Sequence, residues 1–207
     1  MLSPVCPTLD RVHWENIFED LEGQLAAEWE AERAVLDAES ERLRIAKLTF
    51  RTRLQRLQRA DRDVTLRLAD GTRRAVRLRA VGADWIAAHV IEAATTVIAP
   101  MTAVTSLETD HGALLEALDD APVAPDSLRE RMTLGFMLRD FGRRRIPLRL
   151  ALSDGETLHG TVDRAGADHL DLAVHDAGTA RRAANVRAFR MLPFDALIWV
   201  QPDGAAL

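Results

Sequence analysis

Between positions 14 and 57 the apolar residues recur at spacings of mostly three and four: Trp14, Ile17, Phe18, Leu21, Leu25, Trp29, Val35, Leu36, Leu43, Ala46, Phe50, Leu54 and Leu57. That period traces one stripe along a helix, and no proline interrupts it. The chain is therefore predicted to open with a short tail over 1–12 and a long amphipathic helix over 13–61. Gly23 costs about 1 kcal/mol relative to alanine inside a helix and marks a point where a short first helix would part from a longer second one. The stripe approaches a heptad repeat, but Glu32 and Glu39 break it, so a coiled coil is permitted and not compelled.

Beyond residue 61 the period changes to two. The segment "VTLRLADGTRRAVRLRAVGADWIAAHV" (64–90) is echoed by "LRLALSDGETLHGTVDRAGADHLDLAV" (148–174): Asp70-Gly71 falls on Asp154-Gly155, and Gly82-Ala83-Asp84 falls on Gly166-Ala167-Asp168 at the same offset. Each segment predicts a strand, an Asp-Gly turn, a second strand, a Gly-Ala-Asp turn and a third strand. Further on, "VIAPMTAVTSL" (97–107) resembles "RMLPFDALIWV" (190–200), with a longer hairpin, "HDAGTARRAANVRAF", before the second set of closing strands. A handful of short antiparallel strands bury little as an open sheet, and a small, strongly bent barrel is the usual solution. The expected fold is α+β: the long N-terminal helix and two small antiparallel β-barrels, over 62–109 and 146–202, joined by a helical connector over 110–145, with a tail over 203–207. In the connector a short helix over 113–118 precedes a break at Pro122 and Pro125. A second helix is then capped by Asp126 or Ser127, buries Leu128, Met132, Leu138 and Phe141, and ends at Gly142.

The stretch "DGETLHGTVDRAGADHLDLAV" (154–174) resembles the first Sm motif, with Gly155, Gly160 and Asp168 at the motif's glycine, glycine and aspartate positions. The resemblance covers about the first half of one barrel and, more weakly, the earlier copy, where Val76 stands at the Gly160 position. It implies an Sm-like, strongly bent barrel. Many Sm-like proteins bind RNA through an Asn just after that aspartate; here the strand carries Asp171.

Apolar residues make up 47% and charged residues 29% of the 207, an ordinary globular balance that argues against general disorder. No apolar run approaches the roughly 18 residues a membrane span needs, and the N-terminus lacks the pattern of an export signal, so the expectation is a cytoplasmic protein with no membrane partner. The single cysteine, Cys6, has no thiol to pair with. Of the 27 basic residues only Lys47 is lysine and tyrosine is absent, the codon bias of a GC-rich genome.

Charge changes sign along the helix: 15–41 is almost entirely acidic, whereas Arg42, Arg44, Lys47, Arg51, Arg53, Arg56, Arg59 and Arg62 follow. One reading is ordinary placement of charge along a helix. The sharper readings are antiparallel self-association and a basic surface for phosphates. Candidate partner-binding residues are Trp14, Ile17, Phe18, Leu21, Leu25 and Trp29. Candidate phosphate-binding residues are Arg51, Arg56, Arg143, Arg144, Arg145, Arg181, Arg182 and Arg187. The net charge of −5 disfavours indiscriminate polyanion binding. The cluster "DHLDLAVHD" resembles a metal site only superficially, because His169 and His175 stand about 20 Å apart along a strand. No nucleophile motif, P-loop or dinucleotide fingerprint is present, so no catalytic residue, cofactor, metal or small-molecule substrate is assigned. Trp85 is expected to pack against a helix. The sequence thus predicts a non-enzymatic adaptor or regulator that binds a protein partner or itself through the N-terminal helix; the alternative is a nucleic-acid-binding regulator using the arginine-rich barrel surfaces.

Overall fold

The structure, a computed structural model, describes residues 8–93, 95–119 and 128–204, with side chains described from Phe18 onward and excluding that of Arg129. The predicted cap residues Asp126 and Ser127, and Cys6, lie outside the described residues. The chain divides into two compact units, 1–48 and 49–207.

The described part of the first unit contains one helix, α1 (Thr8–Ala46), which runs through Gly23 without a break. Its exposed ion pairs, Glu39–Arg42 at 3.7 Å and Glu41–Arg44 at 2.6 Å, are spaced three residues apart, the separation that brings side chains together on one helical face.

The second unit begins with α2 (Phe50–Arg59), whose N-terminus is fixed by the Thr49 hydroxyl accepting from the Thr52 N–H at 3.1 Å and whose inner face buries Leu54 and Leu57. Five strands follow: β1 (Asp63–Leu68), β2 (Arg73–Val81), β3 (Trp85–Val90), β4 (Thr95–Pro100) and, after a 3-10 turn over Met101–Ala103, β5 (Val104–Glu108). Among the described residues three helices come next, α3 (His111–Glu116), α4 (Leu128–Arg131) and α5 (Leu134–Arg144). The cap of α5 is Thr133, and the helix passes Gly142 to end at Arg145, which takes the left-handed conformation at φ 54°. The final strands are β6 (Pro147–Leu152), β7 (Thr157–Ala165), β8 (His169–Val174), β9 (Ala188–Pro193) and, after a 3-10 turn over Phe194–Ala196, β10 (Leu197–Pro202).

These strands form a single antiparallel sheet in the order β5-β1-β2-β3-β4-β10-β6-β7-β8-β9. This corrects the expectation of two closed small barrels. Closing either half would need its own outer strands to meet. Instead β4 pairs with β10 from the other half, with Val200 opposite Ile98, and the edges β5 and β9 stay apart. The physical reason is visible in the strands themselves. β3, β4 and β10 are apolar on both faces: Ile86, Ala88, Val97 and Ala99 join one core, whereas Trp85, Ala87 and Ile98 join the other. Strands buried on both sides belong in the middle of a large sheet, not in the one-sided wall of a small barrel. A bulge between Leu197 and Trp199 lets Ile198 and Trp199 enter the first core while Leu197 and Val200 enter the second. Trp199 is flanked by the guanidinium groups of Arg74 and Arg149, 5.2 and 5.4 Å from its ring.

The two halves correspond element by element. Val64 pairs with Val76 as Leu148 does with Gly160; Trp85 pairs with Pro100 as His169 does with Pro193; Leu66 pairs with Leu107 as Leu150 does with Val200. The bulges between Leu78 and Ala80 and between Val162 and Arg164 also match. The correspondence reaches back into the helices, where Thr49 caps α2 as Thr133 caps α5, and the two non-glycine residues of positive φ among those described, Asp61 and Arg145, occupy the same place after each helix. Gly71 and Gly155, at φ 80° and 89°, close the Asp-Gly turns.

Candidate functional site

Among the described residues, three surfaces are candidates for a function: the apolar stripe of α1, the arginine clusters, and a cleft beside α5.

On α1 the side chains of Phe18, Leu21, Leu25 and Trp29 are all exposed, Phe18 at 59% and Trp29 at 71%, and Val35, Leu36 and Leu43 continue the exposed series. Trp14 and Ile17 lie outside the described side chains. Spacings of three and four put Phe18, Leu21, Leu25 and Trp29 along one side of the helix. Glu19, Asp20, Glu22, Glu28 and Glu30 lie between and around them. Large apolar side chains in a continuous row, rimmed by charge, form a surface suited to another apolar surface. Farther along the helix, the hydrogen bond from Arg44 holds the Glu41 carboxyl below the usual carboxylate range.

The arginines proposed for phosphate binding are distributed among separate local networks. Arg51 donates from Nε to the Gly82 carbonyl at 2.8 Å and from Nη2 to the Glu130 carbonyl at 2.6 Å, tying α2 to the β2–β3 turn and to α4. Arg56 donates to the Ala117 carbonyl at 3.2 Å, behind α3. Arg143 and Arg144 share the Asp140 carboxylate, at 2.5 and 3.5 Å. Arg181 grips Asp163 with two hydrogen bonds of 2.6 and 2.5 Å, which raise the affinity of its guanidinium for its proton. Arg187 pairs with Asp176 at 2.5 Å. Arg145 and Arg182 are exposed and carry no ion pair among the described residues. A guanidinium already bound to a carboxylate or a carbonyl must break that contact before it can neutralise a phosphate, and six of the eight carry such a contact.

The cleft has a volume of about 730 Å³. Its walls include Trp85 and Ala87 of β3, Thr96 of β4, Met132, and Phe136, Met137 and Phe141 of α5, with Arg79, Asp140 and Arg144 supplying charge. Trp85, expected to pack against a helix, is buried in one core with Leu134, Leu138 and Phe141 of α5, and its indole N–H donates to the Met132 carbonyl at 2.8 Å. The Ala83 N–H donates to that same carbonyl at 3.0 Å, and the Asp84 carboxylate accepts from the Leu134 N–H at 2.7 Å. The Gly82–Asp84 turn thereby fixes the start of α5. Gly82 is required there because a Cβ would stand 2.2 Å from the Trp85 ring. Of the positions expected to be buried on one helix, Leu138 and Phe141 are buried on α5, whereas Met132 is half-buried in the link between α4 and α5 and Leu128 on α4 is exposed. The cleft itself has no local signal, since nothing near Thr96 or Arg79 in the sequence shows that α5 will face them.

The histidines of "DHLDLAVHD" belong to separate networks. His169 bonds to the exposed Asp168 at 2.8 Å, holding that carboxyl below its usual range. His175 is buried, and its Nε2 meets the Thr161 hydroxyl at 2.9 Å. His159 adds bonds to the His175 carbonyl at 3.1 Å and to Asp203 at 2.8 Å, and its ring meets His175 edge-on. These contacts staple β7, β8 and the end of β10 together. Among the described residues no group of three or more His, Cys, Asp and Glu side chains is placed to hold a metal ion. Among the described residues, too, no helix is long and apolar enough to cross a membrane.

Compared with models of protein families, with curated proteins and with solved structures, the chain matches none.

Proposed function

We propose that this protein is a non-enzymatic adaptor or regulator whose business is macromolecular binding, with α1 as the contact surface and a protein, or a second α1, as the partner. The observation that carries this reading is the row Phe18, Leu21, Leu25 and Trp29, all exposed on one helix. Leaving four large apolar side chains in water forgoes on the order of 1.5–3 kcal/mol each that burial would supply. Acidic residues beside the row favour a partner surface with an apolar groove and basic edges, and the Arg42–Arg62 stretch of a second copy has that sign. Nucleic acid is the second choice, resting on Arg145 and Arg182.

The test replaces Phe18 and Leu25 together with Asp. Light scattering across protein concentration and recovery of bound partners from the native host are expected to show association in the unaltered chain and its loss in the variant. A chain that stays monomeric, retains no partner, and behaves identically after substitution refutes the reading. Protection of bound oligonucleotide by the unaltered chain, abolished by Arg145→Glu with Arg182→Glu, would move nucleic acid to first place.

A further inference from the structure

The contact between the two halves of the sheet is made of two unlike edges. One is β4, which presents Ile98; the other is β10, which presents Val200 opposite it, and both residues are 0% exposed. By the correspondence of the halves, β9 is the counterpart of β4 and β5 is the counterpart of β10. The junction inside the chain uses one edge of each kind. One of each kind remains at the ends of the sheet: β9 and β5 are the outermost strands.

What those spare edges display supports the same conclusion. The counterpart of Ile98 is Met191, which is 72% exposed, and the neighbouring Phe189 is exposed as well. The counterpart of Val200 is Leu107, only partly buried on β5. A long apolar edge with open backbone groups is a liability that proteins normally cover or charge; here the charge on β9 is Arg190, which is already paired with Glu156 at 2.6 Å. The turn beside each edge repeats the pattern. Asp84 caps α5 through the Leu134 N–H, whereas its counterpart Asp168 presents a side chain that is 89% exposed, and the position corresponding to Leu134 is Phe50, the first residue of α2.

We propose that β9 of one copy adds antiparallel to β5 of the next, with Met191 opposite Leu107 and Asp168 directed at the Phe50 N–H, so that copies join head to tail through the contact each already makes once within itself. Such a contact joins unlike surfaces, so every copy has one of each and the assembly closes as a ring or extends as a filament. The occupant is a second copy of this chain. The two edges share no residue with the α1 stripe, and the two readings can fail independently.

The test uses the full chain carrying Cys6→Ser. Met191→Cys and Leu107→Cys are made as separate proteins, because opposed residues of an antiparallel pair have Cα atoms about 4.5–5.5 Å apart, within disulfide range. Mild oxidation of the mixture is expected to give a crosslinked dimer that neither protein forms alone. Sedimentation then compares the unaltered chain with Met191→Asp and with the Phe18→Asp, Leu25→Asp double variant. Met191→Asp is expected to weaken head-to-tail association by about tenfold or more in Kd, the equivalent of about 1.4 kcal/mol, while the double variant retains the Met191–Leu107 crosslink. Met191 is exposed, so its substitution leaves the fold intact, checked by an unchanged far-ultraviolet circular dichroism spectrum. The proposal is overturned if the mixture gives no more crosslink than either protein alone, or if Met191→Asp associates as the unaltered chain does.

Discussion

Ile98 is the residue at which the two halves of the sheet are locked, and replacing it with alanine tests whether ten strands behave as one body. It is wholly buried on the core formed by Leu148, Leu150, Val200 and the α5 side chains. The change removes roughly three carbon groups, worth about 2.4 kcal/mol at about 0.8 kcal/mol each. Its neighbours cannot collapse into the space, because β3 and β10 flank it with hydrogen-bonded partners, Ala87 and Val200, fixed on either side. The cavity term therefore adds to the transfer term, and the expected loss is about 3–4 kcal/mol. For a domain of this size that lowers Tm by roughly 6–16 °C. Urea unfolding followed by tryptophan fluorescence and by far-ultraviolet circular dichroism is the assay. The expected result is a lower midpoint with unchanged slope and coincident transitions from both probes. Met191→Ala, at the matching place on β9, is the control and, at a dilution where copies are apart, is expected to stay within about 0.5 kcal/mol. A loss below about 1 kcal/mol for Ile98→Ala, or two separated transitions of which only one moves, would show that the halves are stable without each other and that the junction is incidental.

Two further outcomes follow from local chemistry. Gly155 turns at φ 89° with open space where a Cβ would be, so Gly155→Val is expected to cost about 1–3 kcal/mol through backbone strain alone; an unchanged melting temperature would contradict the turn geometry. The Asp110 carboxylate accepts from the Ala113 N–H at 3.0 Å, and that bond holds its folded-state pKa below the ordinary 3.8. Its stabilisation is therefore complete above 3.8 and is lost as the pH falls through the lower folded value. The stability difference between the unaltered chain and Asp110→Ala should be flat above that pH and shrink in acid; a difference that grows on acidification would reverse the sign and refute the assignment.

Much of the local structure was legible because it is written in turn chemistry. The paired Asp-Gly turns placed the first hairpin of each half, and the Gly-Ala-Asp turns placed the second. The long stripe from Phe18 to Leu43 indicated a helix because its period is helical, whatever it contacts. The joining of the halves was harder to see. Alternation of apolar and polar residues marks a strand but not its partner, and the edge that β4 chooses lies a hundred residues away on β10. A signal was present all the same: "VIAP" (97–100) and "LIWV" (197–200) are unbroken apolar runs with no polar alternation, which speaks for burial on both faces and against the wall of a small barrel. The helical part of each half was hidden because α2 and α5 share little beyond Thr49 and Thr133, Leu54 and Leu138; Arg51 stands where Gly135 does. The contacts of the arginines were hidden for a related reason. Their partners, such as Asp163 for Arg181 and the Gly82 carbonyl for Arg51, are distant in sequence and become neighbours only in the folded sheet.

The bulge in β10 has a consequence for how the molecule comes into being. By sending Ile198 and Trp199 to one core and Leu197 and Val200 to the other, the last strand is shared between both. During synthesis, neither core can be finished until this strand leaves the ribosome, and until then the first half waits with the β4 edge bare and the place of Trp199 unfilled. Its closing step joins residues far apart in the chain, the slowest kind of contact to form. The nascent protein is thus exposed to chaperones, and to wrongly paired edges from neighbouring nascent chains, for nearly the whole time that its second half is being translated.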